Sequence, residues 1–323
     1  MKILHITPAF YPSTRFGGPA VDTYENARRQ AKEGYEVFVY TTDIYLDERI
    51  MRNKLTNVDG VKVIYFKNYF FLKRINPHYF YSMGLVKKLR ETIHEFDIVH
   101  LHDSRTIVNY AASKMCKKEN IPYVIQTDGT LRYFNRKILL KRVFDFFFTK
   151  FILENCSRIL ILTENEREDF QKFNLPKERF ETIPNGVDLL EYSQLPEKGV
   201  FRKKHGIKNN EKLILFLSRI NERKGLHELI NAFENLKIAD ARLVVAGNFE
   251  GCSSRYKREI ENKIKQNNKV TYVGFLNEEG KKEAFTDSDL FVLLAHHEPF
   301  GMVFLEAMAC NCPILTYSDV CLA

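Results

Sequence analysis

The stretch Leu290-Phe291-Val292-Leu293-Leu294-Ala295-His296-His297-Glu298-Pro299-Phe300-Gly301-Met302-Val303-Phe304-Leu305-Glu306-Ala307-Met308-Ala309 decides how the chain is read. Its first five residues are an apolar run of the length expected for a strand buried on both faces. A polar loop holding a proline and a glycine follows, and a helix is expected to begin near Gly301. Strand, loop and helix in that order make one β-α step.

The same step recurs in both directions from this stretch. Apolar runs at 3–6, 37–41, 61–66, 98–101, 123–126 and 159–162 form one series of candidate strands. Runs at 213–217, 243–246, 270–273, 290–294 and 314–317 form a second. Helical stretches fall between them. In the clearest, Leu226, Leu229, Ile230, Phe233 and Leu236 recur at the spacing that gives one apolar face. Another helix is expected through Val21, Tyr24 and Ala27. Repeated β-α alternation implies a doubly wound α/β sheet, with right-handed crossovers and ligands at the carboxyl ends of the strands. At 323 residues the chain is long for one core, and two domains are the natural expectation. The two series part at Pro184-Asn185-Gly186-Val187-Asp188, where Asn-Gly marks a turn. The expected domains are 1–184 and 185–323, two Rossmann-like sheets facing a cleft.

Within the opening stretch, Glu298 sits on the loop and Glu306 inside the helix. Free N–H groups at a helix start favour anions, and Gly301 permits close approach of a ligand to the backbone. Carboxylates accept hydrogen bonds from sugar hydroxyls, although both glutamates could simply complement the helix dipole. A second motif, Leu215-Phe216-Leu217-Ser218-Arg219-Ile220-Asn221-Glu222-Arg223-Lys224-Gly225, puts Arg219 just past a strand and Lys224 at a helix start. Two cations there can clamp a diphosphate, unless the loop is only a solvated basic one. Gly17-Gly18 precede a helix and can cradle a phosphate with backbone N–H groups, although a glycine pair is more often a turn.

Taken together, these motifs resemble retaining glycosyltransferases of family 4, which adopt the GT-B fold, and the resemblance runs through nearly the whole chain. It implies that Glu306 meets the ribose diol of a nucleotide and that Glu298 meets hydroxyls of the donor sugar. The backbone from Phe300 through Gly301 to Met302 would lie against sugar and diphosphate. Arg219 and Lys224 would contact the diphosphate, and Gly17 and Gly18 match a glycine pair of the family. Asn185-Gly186-Val187-Asp188 matches the interdomain signature. The implied reaction is hexosyl transfer from a UDP-, GDP- or ADP-linked donor to a glycan or lipid-linked acceptor with retention, in surface polysaccharide synthesis. Glu298, Asp128, Arg219 and Lys224 are the candidate catalytic residues, and no cofactor is expected.

Two features depart from the family. Gln126-Thr127-Asp128-Gly129-Thr130-Leu131 carries Asp128 where many relatives have a His or Arg, and a carboxylate there cannot donate as a cation would. The chain also ends at Ala323, before the further β-α elements of the family, so the second sheet is expected to be incomplete. A non-catalytic nucleotide-binding or partner subunit is therefore an open alternative. A nucleotide-sugar epimerase is another, but it needs acid and base residues that the motifs do not supply.

His100 and His102 share one face of a strand. They suggest a metal, but no third ligand is apparent in the sequence, and the expectation is a cleft-lining role with no metal site. Asp287-Ser288-Asp289 is read as a helix stop before a strand. A net charge of +8 implies an anionic partner, and no nucleic-acid motif is present. Basic and aromatic residues mix at 136–153 and at 68–83, which suits either a buried helix or transient contact with an anionic membrane surface. No apolar stretch approaches the ~20 residues of a membrane span, and no leader precedes the first strand. The expected location is cytoplasmic, possible contact with the inner membrane face included, with the six cysteines as reduced thiols.

Overall fold

The computed structural model describes residues 1–13, 18–44, 52–69, 80–133, 138–236, 240–296, 298 and 300–318. The chain divides into two compact units, Met1–Pro184 and Asn185–Ala323.

The first unit carries strands β1 (Lys2–Ile6), β2 (Glu36–Thr42), β3 (Leu55–Val58), β4 (Val61–Phe66), β5 (Ile98–His102), β6 (Tyr123–Gln126), β7 (Arg158–Ile161) and β8 (Phe180–Thr182). They form one sheet in the order β3-β4-β2-β1-β5-β6-β7-β8. Its helices are α1 (Gly18–Lys32), α2 (Met83–Thr92), α3 (Ile107–Glu119), α4 (Ile138–Phe144) and α5 (Lys150–Asn155). Every pairing is parallel except that of β3 with β4. The sequence reading missed β3 and β8. The first is mostly exposed and has no apolar run, and the second is three residues long. The hairpin between β3 and β4 is made by Asp59 and Gly60, both at positive φ, a turn pair that was legible in the sequence.

The second unit carries β9 (Lys212–Leu217), β10 (Ala241–Ala246), β11 (Val270–Gly274), β12 (Leu290–Leu293) and β13 (Ile314–Thr316), all parallel, in the order β11-β10-β9-β12-β13. Helices α6 (Val200–Lys204), α7 (Leu226–Leu236), α8 (Ser254–Gln266), α9 (Glu278–Asp287) and α10 (Met302–Ala309) complete it. The expected face of α7 is real: Leu226, Leu229, Ile230 and Phe233 are buried, and only Leu236 is exposed. The helix expected through Val21, Tyr24 and Ala27 is α1; its buried residues are Ala20, Asp22, Thr23 and Ala27, and Val21 is exposed.

In each sheet the chain steps outward on one side of a central strand and then returns to its other side. The reversal falls at β1, between β2 and β5, and at β9, between β10 and β12. Loops leaving such neighbours at their carboxyl ends diverge and leave room for a ligand.

Candidate functional site

In the second unit the two sequence motifs meet at that reversal. β9 and β12 are hydrogen-bonded neighbours, with Phe291 opposite Leu215. The loop after β9 carries Arg219 and Lys224, and the loop after β12 carries Glu298. Asn221 accepts a hydrogen bond from the Arg223 N–H at 3.1 Å and starts a single 3-10 turn, Glu222–Lys224. Gly225 follows at φ 67°, where an added Cβ would stand 2.1 Å from the Leu294 carbonyl oxygen. Only glycine lets the start of α7 lie this close to the end of β12, and that closeness brings Lys224 to Glu298. Their side chains form an ion pair and are both largely buried.

Gly301 caps α10 at φ 81°, and an added Cβ would meet the Phe304 ring at 2.4 Å and Glu298 Cγ at 2.9 Å. Glycine at the cap position offers no side chain to the first N–H groups of α10. Phe300 is buried beside them, and Met302 opens the helix. One turn on, Glu306 is held by Lys281 of α9 at 2.8 Å, and Lys281 also meets Glu278 at 2.9 Å. Burial would lower the ammonium pKa of Lys281, but the Glu306 and Glu278 carboxylates outweigh it and raise it. Arg219 is exposed. His296 bonds Glu228 of α7 at 2.7 Å, and Tyr317 bonds the same carboxylate at 2.8 Å. His297 and Pro299 lie outside the described residues. The sequence reading missed Lys281 and Glu228, since nothing local marks a residue whose role is to hold another loop.

In the first unit Gly17 lies outside the described residues, and Gly18 is the first residue of α1. An added Cβ at Gly18 would find only ordinary contact, so sterics do not demand glycine there. Asp128 and Gly129 follow β6 at φ 49° and 71°. Glu166 shapes this turn, accepting from Thr127 Oγ1 at 2.7 Å, the Gly129 N–H at 3.0 Å and the Leu162 N–H at 2.9 Å. Burial pushes the Asp128 carboxyl up to about 7; the Gln126 amide at 2.8 Å opposes this, and the nearby Glu166 and Asp103 charges add to it. A carboxylic acid that holds its proton near neutrality has an O–H to offer, which a carboxylate lacks.

His100 and His102 point to one face of β5, and a third histidine that the sequence did not bring to them, His5 of β1, lies opposite His100 in register. Asp287 and Asp289 are structural: Asp287 accepts from the N–H groups of Gly199 and Arg202, and Asp289 from that of Leu213. Residues 138–155 form α4, a π turn at Asp145–Thr149, and α5. Phe144, Asp145, Thr149, Ile152 and Leu153 are buried, while Leu139, Val143, Phe146 and Phe147 are exposed. One face of this segment is thus buried and the other exposes apolar side chains. Residues 134–137 and 70–79 lie outside the described residues. Cys116, Cys156, Cys252, Cys310 and Cys312 are free thiols, and Cys321 is outside the described residues. No described helix is long and apolar enough to cross a membrane.

The family model described as Glycosyltransferase Family 4 matches residues 16–190, and that described as Glycosyl transferases group 1 matches 197–323. The uncharacterized glycosyltransferase MJ1607 of Methanocaldococcus jannaschii is 28% identical over 98% of this chain and 80% of its own. The alpha-galactosylglucosyldiacylglycerol synthase of Streptococcus pneumoniae is 26% identical over 68% of this chain and 60% of its own. Among solved structures, Anabaena HepE in complex with UDP-glucose gives a TM-score of 0.75 at 20% identity, covering 100% of this chain and 82% of that one. The fold is GT-B.

Proposed function

The chain belongs to glycosyltransferase family 4, and from that premise we propose that it moves a hexose from a nucleoside-diphosphate sugar to a lipid-linked or glycan acceptor with retention of configuration. The observation that carries this reading is the junction at the ends of β9 and β12. There a buried Lys224–Glu298 pair stands next to a helix whose glycine cap offers its first N–H groups no side chain. That set combines a cation, a hydroxyl acceptor and backbone donors, which is what a sugar diphosphate requires.

In this reading Glu306 accepts from the ribose diol and Lys281 keeps its carboxylate oriented. Glu298 accepts from the sugar hydroxyls, and the backbone of Phe300, Gly301 and Met302 lies along the sugar and diphosphate. As the bond from the anomeric carbon to the diphosphate oxygen breaks, the electron pair leaves with the diphosphate. Arg219, Lys224 and the α10 N–H groups stabilise the charge that develops. The acceptor hydroxyl attacks on the face being vacated, and its proton passes to the departing phosphate oxygen. In the first unit, Gly17 and Gly18 are assigned to the phosphate side and Asp128 to donation toward a substrate hydroxyl. The unit Asn185–Ala323 is assigned to the donor and Met1–Pro184 to the acceptor. The diacylglycerol-glycosylating relative and the exposed apolar face of residues 138–155 both favour a lipid-linked acceptor reached at an anionic membrane surface, in surface glycolipid or polysaccharide synthesis.

Calorimetric titration of the chain with UDP, GDP and ADP tests the donor site, with Glu306→Ala as control. One nucleotide is expected to bind, weakened roughly tenfold or more in the control. Absence of binding by all three would remove the donor assignment. Binding without turnover on any nucleotide sugar would favour a non-catalytic partner subunit, and an inverted anomer in the product would overturn retention.

A further inference from the structure

At the carboxyl-terminal half of β1 and β5, three histidines are packed together outside the donor machinery. His5 and His100 are opposite each other in register, and His102 lies two residues along the same face. Their ring centroids are 4.1 Å apart for His100 and His102, 5.0 Å for His5 and His100, and 5.3 Å for His5 and His102. All three are more than nine-tenths buried. Each offers one ring nitrogen, and the three nitrogens lie within 4.8 Å of one another.

With the Gln30 amide oxygen turned toward His5, the surrounding hydrogen bonds place the protons. Thr23 Oγ1 has a single proton and donates it to the Pro19 carbonyl at 2.8 Å. It is then an acceptor for His102 Nδ1–H at 3.3 Å, which leaves His102 Nε2 as a lone pair. His5 Nε2 donates to Gln30 Oε1 at 2.7 Å, which leaves His5 Nδ1 as a second lone pair. The two lone pairs face each other across 3.0 Å, and His100 Nε2, buried, has no hydrogen-bond partner among the described residues. Two facing lone pairs beside an unpartnered nitrogen are unfavourable unless a cation lies among them.

We propose that His5, His100 and His102 form a site for a borderline divalent transition ion of the zinc class, with Gln30 and Thr23 fixing the tautomers of two ligands. Three imidazoles suit zinc, cobalt, nickel or copper, whereas magnesium and calcium require oxygen ligands. Nitrogens about 2.0–2.1 Å from one ion stand about 3–4 Å apart, so a small rotation of one ring closes the set. A fourth position remains for water. The bound ion ties β1 to β5 at the strand where the first sheet reverses, and no step of the transfer reaction depends on it.

The test is titration of the chelator-stripped full-length chain with Co²⁺, read by its visible ligand-field absorption, and with Zn²⁺ by calorimetry. One equivalent is expected to bind, with Zn²⁺ displacing Co²⁺. His100→Gln is expected to lose at least 100-fold in affinity. Gln30→Ala keeps all three ligands and is expected to lose 10- to 100-fold. This second variant keeps the test decisive if the first does not fold. Absence of the absorption band and of heat would overturn the site and mean that the Gln30 amide is turned over to donate, closing a metal-free network. Binding unchanged in both variants would place the ion elsewhere and overturn it equally.

Discussion

Asp128 shows how one side chain changes meaning between sequence and structure. Its φ of 49° is a conformation that Asp and Asn tolerate better than most residues, and its carboxyl titrates near 7 against 3.8 when free. A raised carboxyl pKa means that the fold favours the protonated form. That stability is fully present below about pH 4 and is lost as pH rises through about 7. Asp128→Asn, which copies the neutral acid, is expected to melt close to the wild type at pH 4. At pH 8 it should be more stable by roughly 2–4 kcal/mol. Thermal melts at the two pH values decide this, and an equal difference at both would show that Asp128 keeps an ordinary pKa. If Asp128 donates to substrate, wild-type kcat/KM falls above pH 7 while the Asn variant gives a flat profile.

Among elements, the approach of α7 to β12 through Gly225 governs the donor site. Gly225→Ala sets a Cβ against the Leu294 carbonyl and imposes positive φ on alanine. A loss of roughly 2–4 kcal/mol in unfolding free energy is expected, with weaker nucleotide binding because Lys224 and Glu298 are pushed apart. Denaturant melts and nucleotide titration of the variant check both effects; wild-type affinity would show that the Lys224–Glu298 junction is not needed for the donor. The strands that position this site were legible in the sequence, because strands buried on both faces read as apolar runs. β3 was not, because an exposed edge strand has no such run, and only its Asp59-Gly60 turn betrayed it. The ion pair from α9 to α10, Lys281 to Glu306, was equally hidden, since it depends on which helices pack side by side.

For the molecule as a whole, a net charge of +8 and an apolar patch at Leu139, Val143, Phe146 and Phe147 act in the same direction. Attraction to anionic lipid and burial of the aromatic side chains should bring the chain to a membrane surface without spanning it. Co-sedimentation with phosphatidylglycerol vesicles is expected to fall as salt rises. It should also weaken roughly tenfold or more in the double variant Phe146→Ser, Phe147→Ser. Equal sedimentation of variant and wild type would make the patch a protein contact instead.

The sequence by itself determined the alternation of strand and helix, the two series of strands, the loops that carry Arg219, Lys224 and Glu298, and the helix that carries Glu306. These are local properties, written in apolar runs, helical spacing, and glycines that fix the backbone. Only the tertiary structure decided that β9 lies beside β12 and β1 beside β5. It therefore decided that Lys224 meets Glu298, that His5 joins His100 and His102, and that Asp128 is buried enough to keep a proton. Strand order brings together residues far apart in the chain, and no local pattern records which neighbour a strand will take.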